Sequence, residues 1–218
     1  MSAGERGLWL GPQSPQALRE DFAAFIDRAR RLDDAAVIRL RERGDGVVVA
    51  WVATGFEVLA SRVVAGRLRP ADLCAGADAL AAGLAAMGAD GFVDPGFSMD
   101  SAWRGALPPD TGFVHLDDVP SAVVTDLAAR GAQLAREHAG PHGPPTSLLD
   151  QEVVRVSSGD DSVGIPMRCV LALTGMGFLP PPGQQEVVRV RVTPTWLRVD
   201  ARFGTVYRRR GGPALVLR

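Results

Sequence analysis

Residues 186–210 read EVVRVRVTPTWLRVDARFGTVYRRR. Apolar and polar side chains alternate through this stretch, and a period of two marks a half-buried strand. In a first strand, Glu186–Thr193, Val188, Val190 and Val192 share one face while Arg189, Arg191 and Thr193 share the other. In a second, Thr195–Phe203, Leu197, Val199, Ala201 and Phe203 oppose Trp196, Arg198, Asp200 and Arg202. A third, Thr205–Arg209, follows a tight connection at Gly204, and Arg208, Arg209 and Arg210 close the run. The pattern predicts an antiparallel meander with its guanidinium groups and Trp196 on the wet face.

Reading backwards, Pro180-Pro181-Pro182 stops a short helix predicted from Pro166 to Met176. Arg168 is its only charge, and a helix apolar almost all round belongs inside. Glu152–Ser157 and Val163–Ile165 form a hairpin pattern through residues 158–161. The hexapeptide QEVVRV occurs at 151–156 and 185–190 without matching flanks, which suggests two similar strands rather than a repeat architecture. Residues 140–146, rich in Gly and Pro, read as a linker.

Before the linker, Ser14 and Pro15 signal a helix start. Leu18, Phe22, Phe25, Ile26, Ala29 and Leu32 follow at spacings of three and four, predicting a helix over 15–32. Val37–Arg43, Val47–Ala53 and Phe56–Ala65 read as a three-stranded meander, with Gly44-Asp45-Gly46 as a turn needing positive φ. The apolar run around Trp51 suggests a central strand covered on both faces. A second helix is expected from Pro70 to Met87, with Gly76, Gly83 and many alanines leaving room for another backbone. That room suits tight packing on the meander, or a helix–helix dimer contact. Residues 88–112 form a long loop, and loops of that length are often functional. Phe113–Leu116 reads as a short strand, and Asp117-Asp118-Val119-Pro120 as the start of a third helix reaching Ala139.

The fold class is therefore α+β: an antiparallel meander packed by helices, followed by a smaller β-rich unit with one buried helix. Expected domains are 1–139 and 147–218 around the 140–146 linker; the alternative is one continuous domain.

The chain has 218 residues, 46% hydrophobic and 22% charged, with a formal net charge of -1. That composition excludes general disorder and a uniformly basic nucleic-acid binder. All 24 basic residues are arginine. Residues 186–218 hold eight Arg against two acids, net +6, and residues 1–185 hold sixteen against twenty-three, net -7. Cys74 and Cys169 are too few and too far apart for a disulfide framework, and read as buried thiols of a cytoplasmic protein. No secretory leader or membrane span is expected.

Arg189, Arg191, Trp196, Arg198, Arg202 and Arg208 form a candidate binding face, since an aromatic among guanidinium groups suits a base or a phosphate backbone. An antiparallel sheet also has a polar face without any ligand, and arginine is the only cation available here to supply one. Asp94, Ser98, Asp100 and His115 form a weaker catalytic candidate, with Asp117, Asp118, His138 and His142 nearby in sequence. Asp117 and Asp118 equally suit the first turn of a helix. Gly96-Phe97-Ser98-Met99-Asp100 lacks the last glycine of a nucleophile elbow. There is no phosphate-binding P-loop, dinucleotide fingerprint or zinc-ligand spacing. The expectation is a binding or assembly protein without cofactor or resident metal, homo-oligomeric or engaging a protein partner. A nucleic-acid or polyphosphate accessory role on the arginine sheet is the alternative, and an enzyme using the 94–118 loop the second.

Overall fold

The computed structural model describes residues 6–11, 16–44, 46–137, 145–159, 161–181 and 183–211. They group into two compact units: Met1–Gly55 with Leu59–Ala106, and Phe56–Val58 with Leu107–Arg218.

In the first unit, strands β1 (Gly7–Leu10), β2 (Val37–Gly44), β3 (Val47–Ala53), β4 (Leu59–Arg69), β5 (Asp72–Gly76) and β6 (Phe92–Val93) join helices α1 (Gln16–Leu32) and α2 (Ala77–Ala85). The sheet runs β5-β2-β3-β4, antiparallel throughout, and β1 pairs with both β4 and β6. As the continuous apolar run requires, β3 lies between β2 and β4, and Val48 to Val52 are all buried. Gly44 and Gly46 take φ of +88° and +73° at the β2–β3 turn, the left-handed conformation expected there; Asp45 between them lies outside the described residues. Phe22, Phe25, Ile26 and Ala29 on α1 are buried, and Asp21 on the same helix pairs with Arg62 of β4.

One expectation for this unit needs correction. The helix predicted from Pro70 begins only at Ala77, because Asp72–Gly76 is a strand hydrogen-bonded to β2. Leu73, Cys74 and Ala75 are buried in the sheet, and a tertiary ladder outweighs the weak helical preference of so short a run. Residues 7–10, for which the sequence suggested no element, form the strand that pairs with β4 and β6.

The second unit contains β7 (Val114–Pro120), α3 (Ser121–Glu137), the short α4 (Thr146–Asp150), β8 (Glu152–Ser158), β9 (Asp161–Pro166), α5 (Met167–Gly175), β10 (Val187–Val192), β11 (Trp196–Ala201) and β12 (Gly204–Arg209). The C-terminal meander forms as predicted, in the order β12-β11-β10-β7, and β8 pairs with β9. α5 is the buried helix: Met167, Cys169, Val170, Ala172 and Leu173 are at most 4% exposed. α3 packs on α5 and so groups with the residues that follow it, whereas the sequence placed it with those before. The expected linker falls mostly on residues 138–144, outside the described ones.

A further correction concerns Asp117–Pro120. These residues continue β7 rather than opening a helix, because β10 pairs with the strand from Val114 through to Pro120. Helix α3 starts one residue later, at Ser121. Among the described residues, no helix is long and apolar enough to cross a membrane.

Candidate functional site

The ladder registers place the sequence-selected arginines. Arg189 faces Asp200 and Arg191 faces Arg198 across β10–β11; Arg198 faces Tyr207 and Trp196 faces Arg209 across β11–β12. Cross-strand partners share a face. Arg189, Arg191, Trp196, Arg198, Tyr207 and Arg209 therefore lie on one side, and Val188, Val190, Val192, Leu197, Val199 and Val206 on the other, buried side.

Arg208 does not join the stripe. Its partner is Leu197, so it points to the apolar face, where its Nη2 donates to Asp150 Oδ1 at 2.9 Å. Period two alone requires this, since 208 has the opposite parity to 207 and 209 on its strand. Arg202 sits in the β11–β12 turn and pairs with Glu186.

The remaining stripe arginines are engaged inside the unit. Arg189 Nε donates to Asp118 Oδ1 at 3.1 Å, and Arg198 Nε to Asp200 Oδ1 at 2.8 Å. Arg191 pairs with the other oxygen of Asp200. Arg198 also lies over Phe113 and Tyr207, 5.5 and 5.6 Å from their ring centroids. Trp196 is 6% exposed with the Arg209 guanidinium 5.3 Å from its ring, so it is a buried platform for that arginine.

Asp118 is the residue whose role sequence reasoning missed. Read as a helix-start acid, it sits on β7 opposite Arg189. The Arg189 hydrogen bond, then the one from His115, holds its carboxyl below the usual range. His115 Nε2 lies 2.9 Å from Asp118 Oδ1. The missing signal was the β7–β10 pairing, which is nonlocal.

The loop candidates divide between units: Asp94, Ser98 and Asp100 belong to the first, His115 to the second. Asp94 Oδ1 accepts from the Gly96 N–H at 2.8 Å. Ser98 Oγ donates to Asp100 Oδ2 at 2.6 Å, and Asp100 Oδ1 accepts from the Cys74 N–H at 2.6 Å. These bonds tie residues 94–100 to the open edge of β5. The Ser98 hydroxyl, with the Cys74 amide and Arg6, keeps the Asp100 carboxyl below its ordinary value. Among the described residues, no three His, Cys, Asp or Glu side chains gather as a metal site; His138 and His142 lie outside them.

Residues 4–105 match the family model described as "Domain of unknown function (DUF8010)", and residues 108–213 the one described as "Domain of unknown function (DUF8185)". No functionally curated protein matches the chain. Solved DNA polymerase sliding clamps share its fold. The Bacillus subtilis clamp superposes with a TM-score of 0.59 at 10% identity, covering 96% of this chain and 66% of the clamp. A putative DNA polymerase III β subunit from Eubacterium rectale gives 0.57 at 9% identity, covering 98% and 67%. The Bartonella birtlesii clamp, solved bound to griselimycin, gives 0.52 at 12% identity, covering 96% and 66%. This chain thus spans about two thirds of the length of the clamps it resembles.

Proposed function

We propose that this protein is a cytoplasmic, non-catalytic binding and assembly protein on a sliding-clamp-like fold, acting through protein–protein contacts. The observation that carries the reading is charge balance within each unit. The second unit contains twelve arginines and twelve acids, net zero, and the first twelve arginines and thirteen acids, net -1. The +6 excess of the C-terminal stretch is therefore cancelled by acids earlier in the same unit, and Asp118, Asp200 and Glu186 hold Arg189, Arg191, Arg198 and Arg202, while Arg209 lies over the Trp196 ring. A phosphate backbone needs uncommitted cations, and these are committed. Large apolar groups stand in water instead, among them Phe97, Val114 and Val187.

The alternative, a nucleic-acid or polyphosphate accessory role through Arg189, Arg191, Arg198 and Arg202, is favoured by one fact: the similar structures are subunits of DNA polymerases.

Sedimentation of the purified full chain at micromolar concentration, with and without a single-stranded oligonucleotide, tests both. The expected result is self-association unaffected by the oligonucleotide. A monomer that sediments with the oligonucleotide at moderate salt overturns the assembly reading in favour of the alternative.

A further inference from the structure

Phe97 is 94% exposed, far more than any other large apolar residue among those described. Its surroundings are stiff. Gly96 takes φ +69° and its N–H is held by Asp94 Oδ1 at 2.8 Å. Arg6 donates to the carbonyls of Gly96 and Cys74. Beyond the ring, the Met99 N–H donates to Cys74 O at 2.9 Å and Ser98 is bonded to Asp100. A Cβ added at Gly96 would lie 2.8 Å from Ala79 Cβ, so this loop rests against α2. An aromatic ring carried on a hydrogen-bonded loop needs no ordering of that backbone when it binds, and only its own rotamer freedom is lost.

The same unit offers a receptacle. Between α1 and α2 lies an open groove of about 340 Å³, with Ala23, Ile26, Ala81, Leu84 and Met87 in its walls. That volume is at the low end of ligand pockets, roughly 300–1,000 Å³. Arg19 lies on its rim with Nε wholly buried and, among the described residues, without a hydrogen-bond partner. The rim carboxylates are engaged: Glu20 accepts from Gln16, and Asp27 lies 3.8 Å from Arg30.

We propose that Phe97 of one copy seats in the α1–α2 groove of a second copy. The ring enters the apolar walls, the Arg19 guanidinium lies beside it, and exposed Asp94 supplies the counter-charge. Each copy carries both halves, an aromatic knob beside an acid and an apolar groove beside an arginine whose Nε has no partner among the described residues, which selects a second copy as the occupant. The inference deepens the assembly reading and rests on it.

Sedimentation equilibrium of the full chain tests it. Phe97→Asp removes the knob; Ala85→Arg, at an exposed groove position, fills the hole. Phe97→Ala serves as a milder second knob variant, and circular dichroism establishes that each variant is folded. Each single variant is expected to self-associate roughly ten- to a hundredfold more weakly, the weight of one buried phenyl ring. An equimolar mixture of Phe97→Asp and Ala85→Arg is expected to regain a one-to-one complex, because one intact knob then meets one intact groove. Unchanged self-association of Phe97→Asp, or a mixture no tighter than its components, overturns the contact while leaving the assembly reading standing. A wild-type chain that stays monomeric at micromolar concentration overturns the contact as well; the assembly reading is then decided by cross-linking to a different protein.

Discussion

Arg168 carries the only charge on α5 and is 2% exposed, yet its guanidinium meets oxygen on every side. Nε and Nη2 donate to Asp150 Oδ1 at 3.0 and 2.7 Å, and Nη1 to Phe56 O at 2.7 Å and Glu57 Oε2 at 3.0 Å. The carboxylates it meets are themselves open to water, with Glu57 82% and Asp150 45% exposed, so removing Arg168 chiefly leaves the Phe56 carbonyl without its donor and costs about 1–3 kcal/mol. Arg168→Ala is expected to lower the urea midpoint by that weight, and Arg168→Lys to recover part of it without the planar fork. A variant as stable as the wild type would show that the network contributes nothing net. The cysteines allow a second test at this scale. Burial pushes the Cys169 thiol up to about 12, and burial with the Asp100 carboxylate pushes Cys74 up to about 11. Neither is expected to react with a thiol reagent near neutral pH until urea unfolds the chain, whereas one fast-reacting equivalent in the native protein would contradict the burial of both. That Arg168 and both thiols are interior was legible in the sequence, because each sits in an apolar run. Arg168's partners were not, since Phe56 and Glu57 lie more than a hundred positions away.

Elements were legible where a period ran long enough. α1, the β2–β3 turn, α5 and the C-terminal meander follow from spacing, because each satisfies its pattern locally. β5 and the second half of β7 did not, and for one reason: both are short segments whose state is set by a neighbour far along the chain. Leu73-Cys74-Ala75 suits a helix or a strand, and pairing with β2 decides. The thin surface of α2 found its use in the same unit. A Cβ at Gly83 would lie 2.1 Å from Asp94 O, so backbone packs directly on the helix there. Gly83→Ala is therefore expected to destabilise by about 1–3 kcal/mol, the usual cost of overpacking, despite alanine's better helix propensity. A stabilised variant in thermal unfolding would mean that the 94–96 segment gives way freely. That segment also sets an acid dependence. Asp100 is depressed chiefly by the Ser98 hydroxyl, so its contribution is complete above the unfolded carboxylate value of about 3.9 and is lost as pH falls through the lower folded value. The stability gap between wild type and Ser98→Ala is expected to shrink as pH drops through this window. A gap that widens on acidification would reverse the assignment.

For the whole molecule, charge counted along the chain and charge counted by unit give different pictures. The +6 stretch looked like a basic face because sequence windows ignore which acids fold back onto it. Asp118 and Asp150 each precede the arginine they pair with, Arg189 and Arg208, by more than fifty residues. The parity of the strand was correct, but the availability of its cations depended on those distant partners. This leads to a quantitative expectation. Each phosphate neutralised contributes about -0.9 to the slope of log affinity against log salt for duplex DNA. With Arg189, Arg191, Arg198 and Arg202 already paired to carboxylates, phosphate binding would first have to break ion pairs, leaving few net counterions to release. Fluorescence anisotropy with a labelled duplex is accordingly expected to give weak binding and a slope shallower than about -2, the weight of two phosphates. A slope near -4 or steeper would require roughly four arginines to leave their acids for DNA. Nucleic-acid binding on the C-terminal sheet would then replace protein assembly as the reading of this fold.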